Sequence, residues 1–355
     1  MQAMMSGWFA VVFGTLLAWF TLAGSADGQP VNCTEPAQAV RTIWANFYIN
    51  AVREINSPSS TFYADIYVNY EWFDPELSSG NSAFLDRASA TDPAIEFVNG
   101  RDIKPVFIDY LPARTNRDAN IRVEARYAGT FFANFRFTRF PFDTQVLPIV
   151  FESEKYPCSK LVIRYQFRRP SGEQSRFFLS QEVALNRHVE SSLRLNEWDI
   201  QELKVTERIR SLPYEESQWS QLRIEMEIGR KSGYYVFKFM LIITLFCGLS
   251  LGVLLIDANI INYRLSIPIS LLVAVIALNF TAGQVLPRIP YLTFLDIHIN
   301  TAYLCIILIA FEGIAGKILV LKNRQDIVTM LNRYTLVTLP ILFVAVHVIA
   351  LLTLK

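Results

Sequence analysis

Hydrophobic and polar positions follow three different patterns along the chain. An apolar run fills most of the first 26 residues. Between residues 27 and 232, apolar and polar positions alternate, as in TFYADIYVNYEWF (61–73) and SQLRIEMEI (220–228). From residue 233 onward, long apolar runs return, separated by short polar stretches. Each pattern is typical of a different structure, and together they divide the chain into residues 1–26, 27–232 and 233–355.

The first part is typical of a secretory signal peptide. Its apolar run ends in small residues, Ala23 to Ala26, where a signal peptidase would cut. No basic residue precedes Arg41, so a retained membrane anchor is the alternative. The polar stretch SADGQP (25–30) favours cleavage near Ala26. Both interpretations place the following domain outside the cytoplasm.

Residues 27–232 are expected to form β-strands. A period of two is typical of strands with one buried face, and turn-forming Pro, Gly, Asn and Asp separate the alternating segments. Further segments of this kind are TIWANFYINAV (42–52), IRVEARYAGTFFANFRF (121–137), KLVIRYQFRR (160–169) and NEWDIQELKVTERI (196–209). We expect about ten strands in an all-β, immunoglobulin-like sandwich.

Four apolar spans in residues 233–355 are long enough to cross a bilayer as helices. We predict transmembrane helices at about 234–256, 263–286, 295–321 and 334–354. Around the loop after the third span lie four basic residues and one acid: Lys317, Lys322, Arg324, Arg333 and Asp326. The positive-inside rule therefore puts this loop in the cytoplasm, in agreement with an exported first domain. The expected location is the cell (inner) membrane, with the sandwich in the periplasm or outside.

Composition and charge exclude several classes of function. The chain has 33 basic and 32 acidic residues, a net charge of +1, whereas nucleic-acid binders normally carry a basic surplus. The sequence contains no catalytic constellation, phosphate-binding loop or zinc motif, so we predict neither an enzyme nor a cofactor. The three histidines, His188, His298 and His347, are too scattered along the sequence to predict a metal site.

Four motifs resemble those of pentameric ligand-gated ion channels, the family of nicotinic and GABA receptors and their bacterial relatives. The motifs are EWFDPEL (71–77, with Trp72), DPAIEFVN (92–99), FPFDTQ (140–145) and LPRIPYLTFLD (286–296). They occur in the family's order and spacing across nearly the whole mature chain. Animal members close the FPFD loop with two cysteines, where this chain has Ala133 and Leu147. The chain therefore resembles the cysteine-less prokaryotic type, although Thr91 stands where the family usually has a tryptophan.

The resemblance implies a homopentamer in a lipid membrane, in which the FPFD corner of the sandwich faces the membrane helices. Its aromatic residues would pack on the Pro287–Pro290 turn, and its aspartate would pair with an arginine just before the first membrane helix. The implied coupling residues are Phe140, Pro141, Phe142, Asp143, Arg230, Pro287 and Pro290. The family's third, acidic partner has only Glu54 and Asn56 as candidates here, so the triad is expected to be incomplete.

The second membrane span carries a stripe of residues that predicts a pore. The residues are spaced by four and three positions, which puts them on one face of a helix. The stripe is polar at its inner end, apolar in the middle and polar at its outer end, and comprises Ser266, Ser270, Val273, Ala277, Phe280 and Gln284. Five such stripes around an axis would form a hydroxyl-lined mouth and a hydrophobic constriction. Packing of small residues in a helix bundle is the alternative.

Ion selectivity is open at this level. The approach to the pore reads Asn262, Tyr263, Arg264, without the glutamate ring of cation-selective relatives, and Asp257 lies further in. The bacterial resemblance favours monovalent cations. An anion-conducting or proton-modulated member of the family and a non-conducting, membrane-tethered binding protein are the alternatives.

The resemblance also implies an agonist site between adjacent subunits, built as an aromatic box with carboxylates. The agonist would be a small molecule, and an amine is one candidate class. One subunit would supply Phe97, Asn99, Glu152, Glu154, Tyr156, Tyr214 and Trp219, and its neighbour Tyr67 and Tyr127. Packing in the sandwich is the alternative role for each aromatic residue.

Two of the four cysteines, Cys33 and Cys158, lie in the exported domain, where disulfides can form. In the fold that the resemblance implies, both belong near the top of the sandwich, and we expect them to pair. Two free thiols are the alternative. Cys247 and Cys305 lie in membrane spans and are expected to stay reduced.

Overall fold

The computed structural model describes residues 41–74, 84–112, 121–166, 180–182, 189, 193, 195–211, 217–284 and 287–354. The predicted signal peptide, Cys33, His188 and Tyr214 lie outside these residues.

Ten strands lie within the described residues, in agreement with the predicted sandwich. They are β1 (Arg41–Asn56), β2 (Thr61–Trp72), β3 (Ile95–Phe97), β4 (Gly100–Pro112), β5 (Ile121–Phe132), β6 (Thr144–Ser153), β7 (Leu161–Tyr165), β8 (Ser180–Glu182), β9 (Trp198–Ser211) and β10 (Gln218–Arg230). One sheet has the order β4-β5-β2-β1-β7, and the other has the order β3-β6-β10-β9-β8. Neighbouring strands are antiparallel except β1 and β7, which run parallel.

The hydrophobic core of the exported domain lies between the two sheets. Alternate residues of β1, such as Ile43, Ala45 and Phe47, are buried, and β10 buries Leu222 and Ile224 in the same rhythm. Both strands contribute to one buried cluster. This is the arrangement that a period-two pattern produces when two sheets pack face to face.

Five helices complete the described structure. A short helix, α1 (Phe84–Thr91), precedes β3. The four long apolar helices are α2 (Gly233–Leu255), α3 (Ile261–Ala282), α4 (Phe294–Leu321) and α5 (Gln325–Thr353), and each is long enough to span a membrane. Within α2, Val236–Met240 is π-helical, and the last turn, Val253–Leu255, is a 3₁₀ helix.

The fourth membrane helix begins earlier than its hydropathy predicts. It starts at Gln325 rather than near Tyr334. Its first turns carry the exposed Asp326 and Arg333, so they are too polar to register as a membrane span although they are helical. An acid in the first turn also favours the positive end of the helix dipole.

The sandwich and the helices share one hydrophobic cluster. It runs from sandwich residues such as Phe140 through Tyr235 and Phe239 at the start of α2 to Val275 on α3 and Ala302 on α4. The floor of the sandwich and the outer ends of the helices are therefore packed against each other.

Candidate functional site

The FPFD corner is fixed to the end of β10 by a buried ion pair. Arg230 Nε lies 2.7 Å from Asp143 Oδ1, and Arg230 Nη2 lies 3.1 Å from Oδ2. The two side chains are only 1% and 2% exposed. The backbone N–H of Arg230 also donates to the carbonyl of Asp143, at 3.1 Å. Such a two-point pair holds both the distance and the orientation of its partners.

Aromatic rings surround the guanidinium group of this pair. It lies 4.0 Å from the ring centre of Trp198, 4.9 Å from that of Phe140 and 5.8 Å from that of Tyr235. Tyr235 stands in the first turn of α2 and contacts Phe140 edge to face, at 4.7 Å between ring centres. The cation therefore joins the corner, the start of β9 and the first membrane helix.

Gln145 is the third polar partner, which the sequence analysis missed. Its amide nitrogen donates to Asp143 Oδ2 at 2.5 Å and to the carbonyl of Arg136 at 2.7 Å. The two expected candidates lie elsewhere: Asn56 accepts a hydrogen bond from Ser59 in its own turn, and Glu54 stands in the same hairpin. Gln145 lies two residues after Asp143, and a period of two puts both on one face, which is the signal that could have found it.

The corner docks on the residues that follow the Pro287–Pro290 turn. Phe142 contacts Phe294 at the start of α4, at 5.6 Å between ring centres. The carbonyl of Phe140 accepts from the N–H of Leu295 at 3.1 Å, and the hydroxyl of Tyr291 accepts from the N–H of Phe137 at 3.2 Å. Pro287 is half-buried and Pro290 is exposed. The predicted contact is thus shifted from the prolines to the first turn of α4.

The predicted pore stripe lies on the open face of α3. All six of its residues are exposed, with Val273 at 60% and Phe280 at 73%. The opposite face is buried against the other helices and consists of Arg264, Pro268, Leu271, Val275 and Ala282. Gln284 stands just beyond the helix, which ends at Ala282. One subunit therefore leaves uncovered the face that the sequence assigns to the pore.

Arg264 points into the subunit rather than toward this open face. Its side chain is 1% exposed. Its Nε and Nη2 atoms donate to the carbonyl of Ile256, at 2.9 and 2.6 Å, and Nη2 also reaches the carbonyl of Leu254, at 3.1 Å. Nη1 lies 3.7 Å from Glu312 Oε2 on α4. Arg264 thus caps the inner end of α2 and contributes no charge to the face of the stripe.

A proline and a glycine explain the close approach of α4 to α3 at this level. Pro268 has no N–H, so the carbonyl of Arg264 lacks its usual helical donor. Gly313 packs here, and a Cβ atom on Gly313 would lie 3.3 Å from this carbonyl oxygen. A Cβ atom at position 313 would therefore require Arg264 or Gly313 to shift by a few tenths of an ångström.

Two aromatic residues predicted for the agonist box are core residues. Phe97 and Tyr127 are each 7% exposed, and their rings meet at 5.0 Å within one subunit. Phe97 also packs against Phe131 and Phe151, at 5.6 and 6.0 Å. Tyr127 stands at an inward position of β5, and its contribution to a neighbouring subunit's agonist site stays a prediction.

Two predicted polar residues of the box also have structural partners. Glu152 is 5% exposed, and its carboxylate accepts from Arg210 Nη1 at 3.0 Å and from Gln221 Nε2 at 2.8 Å. The Asn99 side chain donates to the carbonyls of Phe132 and Pro148, at 2.8 and 2.7 Å. Within one subunit the Glu152 charge is thus already paired, and its part in agonist binding stays a prediction.

The other predicted residues lie nearer the surface. Glu154 is exposed, and among the described residues it has no ion-pair partner. Tyr156 is half-buried beneath the guanidinium of Arg41, at 4.7 Å, and Trp219 is also half-buried. Tyr214 lies outside the described residues.

Tyr67 lies on the outer face of β2 beside an ion pair. The Arg126 guanidinium is 5.1 Å from the Tyr67 ring centre. Arg126 binds Asp65 at two points, with Nε 2.9 Å from Oδ1 and Nη2 2.7 Å from Oδ2. The hydrogen bonds from Arg126 hold the pKa of Asp65 below its usual value.

A cavity of about 580 Å³ lies where α1, β3 and β4 meet, and Phe97, Tyr127 and Glu154 help to line it. In its wall, Asp92 accepts from the hydroxyl of Tyr110 at 2.7 Å and from the hydroxyl of Tyr70 at 3.3 Å. Burial, and next the Asp92 charge, raises the pKa of Tyr127 to about 12, so this hydroxyl stays protonated.

The predicted cysteine pair is only partly described. Cys158 is 3% exposed, and its N–H donates to the carbonyl of Gln218 at 2.6 Å. Cys33 lies outside the described residues, so the pairing stays a prediction. Cys247 and Cys305 are free thiols in α2 and α4.

Comparison with known proteins supports a channel. Residues 28–232 match the family model described as neurotransmitter-gated ion-channel ligand binding domain. The chain is 20% identical over 344 residues to a proton-gated ion channel from Gloeobacter violaceus, and the match covers 94% of this chain and 89% of that protein. It is 22% identical to an acetylcholine-gated chloride channel subunit from Caenorhabditis elegans, over 74% of this chain and 58% of that one.

A gamma-aminobutyric acid receptor subunit, gamma-4 from Gallus gallus, is 20% identical over 73% of this chain and 55% of that subunit. The chain thus spans little more than half the length of these animal relatives. The family model covers more than half of the chain, and the named relatives are ion channels rather than enzymes. The chain belongs to the family of pentameric ligand-gated ion channels, with the sandwich as its ligand-binding domain, and it is of the prokaryotic type.

Proposed function

We propose that five copies of this chain form a channel in the cell (inner) membrane, that a small-molecule agonist opens it, and that α3 lines the pore. One observation carries the proposal: α3 buries the face opposite the predicted stripe and leaves the whole stripe exposed. A helix that only packs in a bundle would expose one apolar face to lipid. This face instead changes from hydroxyls through apolar residues to an amide, a sequence that suits a water-filled passage with a dry constriction.

The closed gate is assigned to the apolar middle of the stripe. Val273, Ala277 and Phe280 follow one another on the same face of α3, without a hydrogen-bonding side chain among them. Five copies of each would narrow the passage and expel water at rest. Ser266 and Ser270 would hold water at the inner mouth.

The agonist site is proposed at the boundary between two subunits. One subunit would contribute the exposed Glu154, the half-buried Tyr156 and Trp219, and Tyr214, which lies outside the described residues. Its neighbour would contribute Tyr67 beside Arg126. Aromatic faces and the Glu154 carboxylate, which has no ion-pair partner in the described part of the chain, suit a small amine, because cations bind ring faces with roughly 0.5 to 2 kcal/mol each. Glu152, already paired with Arg210, would support this site rather than touch the agonist.

Cation conduction is the proposed selectivity. Arg264 is withdrawn into the subunit, so the inner mouth carries no ring of positive charge from α3. Asn262 is neutral and exposed, and the exposed Asp257 lies in the loop before α3. Lys317 reaches the carbonyl of Asn259 in the same loop, at 3.1 Å, and offsets part of the acidic charge. A measured reversal potential decides between cations and anions.

Planar-bilayer recording with thiol labelling tests the proposal. We would record currents from the purified protein while a panel of primary amines and uncharged analogues is applied. In the variant Ala277→Cys, a charged thiol reagent should block the evoked current. The matched control is Ala345→Cys, another exposed alanine, on α5, whose labelling should leave the current unchanged. If an intact pentamer binds one of the ligands but none of them evokes a current, the protein is instead a non-conducting binding protein.

A further inference from the structure

Two histidines that lie far apart in the sequence meet between α4 and α5. His298 Nδ1 lies 2.8 Å from His347 Nε2, and the two ring centres are 4.9 Å apart. His298 stands in the second turn of α4 and is 3% exposed. His347 stands near the end of α5 and is half-buried. Both rings therefore lie at the outer end of the helix bundle, below the sandwich.

The two outer nitrogens of the pair face backbone carbonyls. His298 Nε2 lies 3.1 Å from the carbonyl oxygen of Met240 on α2. His347 Nδ1 lies 2.6 Å from the carbonyl oxygen of Phe343, one turn earlier on α5. A carbonyl oxygen can only accept a hydrogen bond, so a hydrogen bond at each of these contacts requires a proton on the ring nitrogen.

A count of protons shows that two neutral rings cannot complete this arrangement. A neutral imidazole has one N–H and one bare nitrogen. If each N–H points to a carbonyl, the bare nitrogens of His298 and His347 face each other at 2.8 Å, where two lone pairs repel. One additional proton between them turns this contact into a hydrogen bond. We propose that the His298–His347 pair is a proton-binding site, occupied by one proton more than two neutral rings carry.

The groups that face the pair from α2 and α3 are uncharged. α2 presents the Met240 carbonyl and the Thr244 hydroxyl, whose oxygen lies 3.5 Å from His298 Nε2. Cys247, the buried thiol of α2, follows one turn further in. Lys238 is exposed and donates to the hydroxyl of Tyr234 at 2.8 Å. The buried cation of α3, Arg264, lies at the opposite end of the bundle.

The charges on the other neighbours are already engaged or distant. On α4, the Asp296 carboxylate accepts from the N–H of Thr293 at 2.9 Å and from its hydroxyl at 2.8 Å. On α5, the charged residues Asp326 and Arg333 lie at the other end of the helix. In the sandwich corner, Asp143 is paired with Arg230. Occupancy of the site is therefore set chiefly by the two rings and the carbonyls that they reach.

The proton site is connected to the coupling corner through one ring. Phe294 contacts Phe142 of the corner at 5.6 Å and His347 at 5.7 Å between ring centres. With the proton bound, a continuous chain of hydrogen bonds joins α2, α4 and α5. Without it, the central bond becomes a repulsive contact, and α5 loses its polar tie at the outer end of the bundle, while Asn332 of α5 still donates to the carbonyl of Leu254 on α2 at the inner end, at 3.0 Å. On the basis of the proposed channel function, the proton would therefore regulate how the corner moves the helices.

Histidine NMR on the assembled protein tests the site directly. The chain has three histidines, so ¹⁵N-histidine labelling of the pentamer in liposomes gives three rings to follow between pH 5 and pH 8, where histidine exchanges its proton. We expect His298 and His347 to take up one proton together, with a nitrogen signal shared between them. In His347→Phe, which keeps a ring at this position, His298 should stay neutral with its proton on Nε2. His188→Gln is the control and should leave the shared signal unchanged.

Melting temperature gives a second readout. We would measure the melting temperature of the wild type and of His347→Phe at pH 5.5 and at pH 8. The decrease in melting temperature between these pH values should be about 2 °C or more larger for the wild type, since a lost polar contact shifts the melting of a protein of this size by a few degrees. If His347→Phe does not assemble, His347→Gln replaces it. The inference is overturned if no proton is taken up beyond two neutral rings, or if each ring titrates unchanged after its partner is replaced. Neither readout needs ion flux, so a failure to conduct would reject the proposed function and leave this test intact.

Discussion

Asp143 in the FPFD corner and Arg230 at the end of β10 hold each other at two points, 2.7 and 3.1 Å, with both side chains almost fully buried. Three residues after this arginine, at Gly233, the chain enters α2. The pair therefore joins the ligand-binding domain to the membrane domain where the polypeptide itself passes between them. A buried pair of this kind fixes geometry more than it adds stability, and loss of one partner leaves an unpaired charge.

Exchange of the two charges tests this link. Asp143→Arg or Arg230→Asp alone should cost about 3 kcal/mol or more, because each puts two like charges into a buried site, and should greatly reduce pentamer yield and evoked current. The double exchange should recover more of both than additive single effects allow. The same cycle on Asp65 and Arg126 is a control for a pair remote from the helices. Strict additivity at Asp143 and Arg230 would show that the two residues act independently.

The corner illustrates what the sequence can predict. The FPFD motif located Asp143, and the family resemblance implied its pairing with Arg230, the arginine just before the first membrane helix; the ion pair confirms this pairing. Gln145 was missed although it lies in the same motif and two residues after Asp143, because the resemblance implied an acidic third partner rather than an amide. The docking partner was predicted one turn too early, because the contacts with Phe294 and Leu295 depend on where α4 begins.

The Asp65–Arg126 pair predicts an acid-sensitive contribution to stability. The hydrogen bonds from Arg126 lower the folded-state pKa of Asp65 below the unfolded value of about 3.9. The contribution is therefore fully present above pH 4 and is lost as the pH falls through the folded-state pKa. Asp65→Asn should cost roughly 1 kcal/mol at pH 7 and little near pH 2, as measured by melting of the pentamer. Asp109→Asn, at an exposed position, is the control; an equal loss for Asp65→Asn at both pH values would contradict the assignment.

The inward position of Arg264 predicts that this residue affects stability and not selectivity. Arg264→Gln leaves carbonyls at the end of α2 without their donor and should cost about 2 kcal/mol. The reversal potential of pentamers that still assemble, measured in a salt gradient, should not change. Asn262→Glu, at an exposed position, should shift the reversal potential toward cations. A shift of similar size in Arg264→Gln would mean that its side chain reaches the pore.

The cysteine pair has its own test. A Cys33–Cys158 disulfide would close a loop of about 125 residues, worth about 4 kcal/mol in the chain-entropy model. Because Cys158 is buried, alkylation has to follow denaturation without reductant, and peptide mapping then reads the result. Cys247 and Cys305 should be alkylated and serve as internal controls, while Cys33 and Cys158 should not. Alkylation of all four would rule out the bridge.

Exposure was harder to predict in the sandwich than along the second membrane helix. A fixed helical period puts the six stripe positions on one face, and all six are exposed in the subunit; their place in a pore stays a proposal. In the sandwich, burial depends on which strand lies opposite. Glu152 reaches Arg210 because β6, β10 and β9 are neighbours in one sheet, and Phe97 meets Tyr127 across the core. The contact between His298 and His347 has the same origin, since only the packing of α5 on α4 brings them together.

Ion flux through a pore whose gate has been made polar tests the assignment of α3 to the pore most directly. Val273→Ser should let water occupy the constriction, so liposomes that contain this variant should leak ions without any agonist, whereas wild-type liposomes stay tight. The matched control is Val344→Ser on α5, because Val344 is 61% exposed and Val273 is 60% exposed. We predict a leak from Val273→Ser and none from Val344→Ser. Equal permeability of both variants and the wild type, with intact pentamers, would contradict the assignment of α3 to the pore.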